Sequence, residues 1–352
     1  MVMKILVYGA GAVGSYLGAR LAHQGHEVTL VARIVAAEAI AKSGLRLSLP
    51  AGPDLLVTPH TVTALRQAFL NDRQYDLLLM AVKSYDVEEA LNPLIAFSPR
   101  PYPTVLTLQN GIGIEELIVD ALESENVVAG SLTTPVSRLT PAHIRLEHAD
   151  RGLALAPTHK KQNIAPWVRL FDEAGVVCQR VKYHRSMKWS KALLNMLGNA
   201  TAAIINRHPG AVYKHAGTFD LEMEMLQEAL AVMKRLKIRV VDLPGTPTTR
   251  LALAVRRLPN FMVKPILTRI VAEGRGEKMP SFHVDLSNGR SKNEVLFHNG
   301  AVAAAAEELG LSAPVNRALS DILIKLARRE VDWKVYDGNP QRLLAEVERY
   351  RD

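Results

Sequence analysis

Short apolar runs without polar alternation mark the first half of the chain, and helical periods fill the second. Lys4-Ile5-Leu6-Val7-Tyr8 is the first such run, the pattern of a strand covered on both faces in a parallel sheet. From Ala12 to His23 the apolar positions Val13, Tyr16, Leu17, Ala19, Leu21 and Ala22 recur at helical spacing, and Gly25 stands where the helix should stop. Residues 28–32 read as a second buried strand. The alternation continues through residues 75–82, 105–108 and 127–129, with helical stretches after Ser84 and after Gly113, and predicts a doubly wound α/β sheet. Two apolar runs, 144–146 and 153–155, flank a polar stretch with Asp150 and Gly152. They are expected to form an antiparallel hairpin that extends the sheet, with residues 176–181 as its last strand.

Beyond Tyr183 the strand signals stop. Helical patterns cover residues 184–205, 219–236, 295–309 and 315–329, and 340–350 reads as an exposed amphipathic helix. Leu258-Pro259 and Lys264-Pro265 are expected to break residues 244–278 into short helices. The 352 residues suit two domains. The pattern predicts residues 1–182 as the α/β domain and 183–352 as an all-helical one.

Composition narrows the class. Hydrophobic residues make up 48% and charged residues 22%, as in a packed globular protein. The single cysteine, Cys178, excludes an intramolecular disulfide, and neither it nor the eleven histidines show metal-ligand spacing, so a reducing cytoplasm is the expected setting. A net charge of +8 raises the question of nucleic acid. Much of the excess lies in residues 250–278, where seven basic residues (Arg250, Arg256, Arg257, Lys264, Arg269, Arg275 and Lys278) face only Glu273 and Glu277. Scattered over helix faces without interleaved aromatics, they suit a solvated face or an anion-attracting rim better than a nucleic-acid groove. No apolar run reaches the ~18 residues of a membrane span, and the amino terminus lacks a signal-peptide layout. Neither nucleic acid nor membrane is an expected partner, and a homodimer is the one assembly kept open.

The candidate chemistry starts at the first turn. Gly9-Ala10-Gly11-Ala12-Val13-Gly14 follows a buried strand and opens a helix, the Rossmann-type arrangement. The first glycine makes the tight turn, the second admits a pyrophosphate to the backbone, and the third packs helix on strand. At the end of the second strand a site for the unphosphorylated cofactor would place Asp or Glu on the ribose, yet the chain reads Val31-Ala32-Arg33. A guanidinium pairs with an extra 2′-phosphate, so Arg33 points to NADP(H), against the alternative of a merely exposed arginine. Further along, Lys191, Asn195 and Asn199 recur every four residues within an apolar helical stretch. Amides buried there without partners cost about 1–3 kcal/mol each, so either a ligand or an interdomain hydrogen-bond network faces them.

These motifs, with Ala81-Val82-Lys83, Leu108-Gln109-Asn110-Gly111, Glu294 and Asn299-Gly300, occur in the order of the ketopantoate reductase (2-dehydropantoate 2-reductase) family, which the chain resembles from Lys4 to about Ile324. The resemblance implies a cytoplasmic enzyme of pantothenate biosynthesis that uses NADPH to reduce a 2-oxo acid to a 2-hydroxy acid. Lys191 would be the proton donor, Asn195, Asn199 and Ser281 substrate ligands, and Lys83, Asn110 and Glu294 neighbours of the cofactor. It also implies that the substrate lies in the cleft between the domains. Ser291-Lys292-Asn293-Glu294 can equally be read as a capping box. Lys278 and Pro209 stand where better-known members have asparagines, and 281–294 is one residue longer than the family pattern. Two other readings stay open: another 2-oxo acid reductase or opine-type dehydrogenase, and a non-catalytic NADP(H)-binding sensor.

Overall fold

The computed structural model describes residues 1–70, 73–275 and 278–351; Glu277 of the basic segment lies outside them. Packing divides the chain into one unit of Met1–Met187 with Leu243–Thr246 and another of Lys188–Asp242 with the residues from Pro247 onward.

The first unit runs β1 (Lys4–Tyr8), α1 (Ala12–His23), β2 (Glu27–Val31), α2 (Ile34–Ser43), β3 (Leu45–Ser48), β4 (Leu55–Val57), β5 (His60–Val62), α3 (Leu65–Ala68), β6 (Leu77–Met80), α4 (Val87–Phe97), β7 (Thr104–Thr107), α5 (Ile114–Leu122), β8 (Val127–Leu132), β9 (Val136–Thr140), β10 (His143–Leu146), β11 (Leu153–Pro157), α6 (Ala165–Glu173) and β12 (Cys178–Arg180). Eight strands form the main sheet in the order β12-β11-β8-β7-β6-β1-β2-β5, parallel except where β11 meets β8. Its central strands are buried on both sides; Leu77, Leu78, Leu79 and Met80 are all inaccessible, which is why the sequence shows no alternation there. Val7 on β1 stands opposite Leu30 on β2 and Leu79 on β6.

The expected hairpin is not there. Residues 144–146 and 153–155 enter different sheets: β11 pairs with β8 and β12 in the main sheet, whereas β10 pairs with β9 and, in parallel, with β3. A second sheet, β4-β3-β10-β9, results and packs on α1. Burial explains the split. β10 alternates buried Ile144 and Leu146 with exposed Arg145, while Leu153 to Ala156 on β11 are wholly buried. The last strand, β12, is an edge: Cys178 is half-buried, and Gln179 and Arg180 are exposed.

The helical unit begins within α7 (His184–Met196) and continues with α8 (Ala200–Ile204), α9 (Pro209–Lys214), α10 (Ala216–Arg235), α11 (Thr248–Arg257), α12 (Asn260–Arg275), α13 (Ser281–Ser287), α14 (Asn299–Glu308), α15 (Pro314–Ala327) and α16 (Pro340–Glu348). The long α10 is its axis. Phe219, Met223, Leu226, Leu230 and Met233 are buried along it, against α9, α11, α14, α15 and α16. α16 buries Leu343 and Val347, so its apolar face is covered by α10 and α15 of the same chain.

Three helix expectations are corrected. The stretch 184–205 is two helices, because the chain turns at Gly198 with φ +55°, a conformation glycine adopts without a Cβ penalty. The stretch 295–309 breaks at His298, separating a 3₁₀ turn over Glu294–Phe297 from α14. Pro265 lies inside α12 rather than ending a helix; a proline costs the interior one N–H bond, and the helix continues past it.

Candidate active site

The turn after β1 is built from glycine because side chains do not fit. Gly9 has φ +111°, and a Cβ on it would come within 2.8 Å of the Ala81 carbonyl carbon and the Val82 nitrogen. A Cβ on Gly14 would lie 2.2 Å from the Gly9 carbonyl oxygen. Gly11 is different: its Cβ would meet no heavy atom within 4 Å. The outer glycines serve packing, and the middle one keeps open the space over the start of α1. That helix has Gly11 as its N-cap, no capping side chain and no acid in its first turn. Its leading N–H groups and positive dipole end therefore suit an anion, and the whole turn, with Ala10, Ala12 and Val13, fits a dinucleotide pyrophosphate.

Backbone ties gather the other predicted cofactor residues of this unit. The Ala81 N–H donates to Tyr8 (2.8 Å), the Leu108 N–H to Met80 (3.1 Å), and the Ala10 N–H to Val31 (3.0 Å). Gln109 Nε2 donates to the carbonyls of Met80 (2.8 Å) and Val82 (3.0 Å), and Ser84 Oγ donates to the Asn110 carbonyl (2.5 Å). Lys83 and Asn110, both half-buried, thus sit with the glycine turn at the carboxyl ends of β1, β6 and β7. Here β2 and β6 flank β1 on opposite sides, the switch point where open α/β sheets bind ligands. Gln109 and Ser84 were not among the expected site residues; their role is to lock the loops that carry Lys83 and Asn110. Arg33 is the exposed N-cap residue of α2, whose first turn also lacks an acid, so the dipole of α2 adds to the guanidinium charge.

The helical unit supplies a second cluster. Lys191 and Asn195 lie one turn apart on α7, both half-buried. Asn199 is beyond the end of that helix, as the N-cap residue of α8, so the three do not share one regular stripe. Its amide is fully engaged: Nδ2 donates to the Asn195 carbonyl (3.0 Å) and to Ser281 Oγ (3.3 Å), and Oδ1 accepts from the Phe282 N–H (3.2 Å). Asn293 Nδ2 donates to the Phe282 carbonyl (3.4 Å), which ties in Glu294, 4% exposed. The capping residue there is Asn293, whose Oδ1 accepts from the Val295 N–H (2.9 Å), and the box expected from Ser291 does not form. The structure therefore joins Asn195, Asn199, Ser281 and the Glu294 turn in one network. Lys278 is exposed, and Pro209 packs on the Gly198 turn.

Two ionisable groups of the first unit serve its structure. His184, the first residue of α7, lies 3.2 Å from Glu116 on α5, and that hydrogen bond holds the Glu116 carboxyl below its usual range. Burial, with Asp172 nearby, pushes the Cys178 thiol up to about 12, so the thiol is unreactive at neutral pH. Among the described residues no group of three or more His, Cys, Asp or Glu is arranged to hold a metal ion, and no helix is long and apolar enough to cross a membrane.

Comparison with known proteins adds relatives. Residues 5–157 match the family model described as "Ketopantoate reductase PanE/ApbA" and residues 184–327 the one described as "Ketopantoate reductase PanE/ApbA C terminal". A 2-dehydropantoate 2-reductase of Pyrococcus horikoshii is 27% identical over 318 residues, covering 89% of this chain and 94% of its own. The crystal structure of a PanE/ApbA family ketopantoate reductase from Ralstonia eutropha JMP134 is 28% identical with a TM-score of 0.78, over 93% of this chain and 99% of that one. A D-mandelate dehydrogenase solved with NADH and anilino(oxo)acetate shares the fold at 21% identity and a TM-score of 0.75, again over 93% and 99%.

Proposed function

The chain belongs to the ketopantoate reductase PanE/ApbA family, oxidoreductases acting on CH–OH groups, and from that premise we propose that it reduces 2-dehydropantoate to pantoate with NADPH, Lys191 giving the proton. The observation that carries this reading is the network of the helical unit. Asn195 makes no side-chain hydrogen bond among the described residues, and Ser281 Oγ accepts from Asn199 while its own hydroxyl proton is left to donate. An amide without other work, a turn of helix from an ammonium, and a hydroxyl with a proton still to give suit a carboxylate and an adjacent carbonyl oxygen. Asn199, with every amide group committed, acts as a strut for both.

The reduced nicotinamide, when bound, supplies the hydride to C2 of the oxo acid. The Lys191 ammonium polarises the carbonyl oxygen, neutralises the negative charge that develops on it, and transfers its proton from Nζ to that oxygen. Lysine is left neutral and regains a proton from water. The Gly9–Gly14 backbone would hold the pyrophosphate, Arg33 the 2′-phosphate, and Lys83, Asn110 and Glu294 other parts of the cofactor. The lone, unreactive thiol suits a reducing cytoplasm.

A second substrate, another branched 2-oxo acid, is favoured by one observation: the buried ring of Pro209 offers no donor beside the Gly198 turn. Loss of NADPH absorbance with 2-dehydropantoate and a panel of branched 2-oxo acids tests both. Rapid oxidation with 2-dehydropantoate is expected; a faster reaction with another acid would transfer the assignment, and NADPH binding without turnover of any would leave a sensor. Lys191→Ala should lower kcat by about 10²- to 10⁴-fold with NADPH affinity kept within about threefold, and near-normal turnover would refute the proton-donor role.

A further inference from the structure

The break between α7 and α8 is held by a buried acid that the reaction itself does not use. Glu222, on α10, is 0% exposed. Its Oε2 accepts the N–H of Gly198 at the turn (2.7 Å) and the hydroxyl of Tyr213 on α9 (3.1 Å). Its Oε1 accepts the hydroxyl of Thr201 on α8 (2.6 Å). One carboxylate thus collects donors from the turn, from α8 that follows it and from α9. The turn leaves no slack: with φ +55° at Gly198, a Cβ there would lie 2.9 Å from Pro209 Cβ and 3.3 Å from the Tyr213 ring.

For stability alone, well-packed apolar side chains often serve as well as a buried charged network. What the acid adds is direction, since hydrogen bonds fix where the turn sits to within tenths of an ångström. The residues whose direction it fixes are Asn195, in the last turn of α7, and Asn199, at the head of α8, which in turn holds Ser281. We propose that Glu222 is a positioning residue for the reduction: through Gly198 and Thr201 it sets the α7–α8 break, and so aims Asn195 and Ser281 at the oxo acid. This inference rests on the reductase reading above.

Two variants of similar volume test it. In Glu222→Gln, the amide oxygen can take the Gly198 N–H and the Tyr213 hydroxyl, and the amide nitrogen can donate to the Thr201 oxygen. It should keep at least a third of the parent kcat/KM. In Glu222→Leu, the Gly198 N–H loses its acceptor. The KM for the oxo acid should rise and kcat/KM fall by about 10- to 100-fold, the range expected for ångström-scale misplacement. NADPH affinity should hold within twofold, at a temperature where circular dichroism shows both variants folded. Amide hydrogen exchange of the segment 195–201 should quicken in the Leu variant alone.

Parent-like kinetics and exchange in folded Glu222→Leu would overturn the proposal, as would equal kinetic losses in Gln and Leu, which would point to charge rather than geometry. If the parent turns over no oxo acid, the reductase reading fails by itself. The exchange pattern still decides whether Glu222 holds the break: quickened exchange in the Leu variant supports it, and unchanged exchange overturns it.

Discussion

The glycine turn of the first unit and the asparagine network of the second, the two candidate sites, place their polar groups by opposite means. In the turn the groups are backbone N–H donors, placed by contacts that forbid any side chain at Gly9 and Gly14. In the network they are side chains, and the helical unit that carries them is tied together by acids far along the chain: Glu222 lies 24 residues from Gly198, and Glu228 lies 87 residues from Val315. A backbone site is written in adjacent letters. A side-chain site depends on supports that only the fold assembles, so its weak points lie outside the residues that touch the ligand.

The largest effect should come from splitting the glycines of the turn. Gly14→Ala drives a methyl group to 2.2 Å from the Gly9 oxygen, so the helix must move off the strand; NADPH binding should be lost and the melting temperature lowered. Gly11→Ala meets nothing within 4 Å, and with φ −77° it strains no backbone. It should melt as the parent does yet bind NADPH at least about tenfold more weakly, a loss of about 1.4 kcal/mol, because its methyl fills the space meant for pyrophosphate. Thermal unfolding and fluorescence titration measure the two quantities. Full NADPH affinity in Gly11→Ala would mean that the turn is glycine-rich for packing alone.

Arg33 should have the next largest effect, and it reads selectivity rather than affinity at large. A charge-assisted pair contributes about 1.5–3 kcal/mol, so Arg33→Asp should weaken NADPH by about 10- to 100-fold and leave NADH within a few-fold. Equal losses for both cofactors, or none, would remove Arg33 from the 2′-phosphate. The exposed position at the head of α2 makes this variant safe to fold.

How far the sequence could be read follows the same divide. The β1-α1-β2 opening was legible because its strands are apolar on both faces and its turn needs glycine at fixed offsets. The second sheet was not: β3, β4 and β9 are short and half-exposed, and β10 finds its parallel partner β3 nearly a hundred residues earlier, as the Ser48 and His143 side chains show by meeting across a separation of 95. Two apolar runs a few residues apart looked like a hairpin because nothing local says that Ile144 faces one sheet and Leu153 another. Lys191 and Asn195 were visible by their spacing, but the break after them was hidden, since Gly198 inside an apolar run is also tolerated by a continuous helix. In the fold that glycine is marked as a turn by its positive φ and by its N–H bonded to Glu222.

The smallest effect on turnover, and the finest test of the divide, concerns Glu228. Its Oε1 accepts the Val315 N–H (2.9 Å), and its Oε2 accepts the N–H (2.9 Å) and Nδ2 (2.7 Å) of Asn316. Asn316 Oδ1 then accepts from Asn299 Nδ2 (3.0 Å) at the head of α14. Burial raises the Glu228 carboxyl above its ordinary value, although the bonds from Asn316 and Val315 pull the other way. A raised native value means that the folded state holds its proton longer than the unfolded one. The stabilising share of Glu228 is then complete below the ordinary value near 4.5 and declines as pH rises through the raised native value. Glu228→Gln removes the titration and leaves one N–H facing an amide NH₂, a constant loss of about 1–3 kcal/mol. Urea unfolding across pH 4–8 should give a parent-minus-variant stability difference that falls as pH rises, while kcat/KM at neutral pH changes less than in any variant above. A difference that rises with pH would mean that the bonds from Asn316 and Val315 outweigh burial, and that this acid supports the helical unit as an anion in its own right.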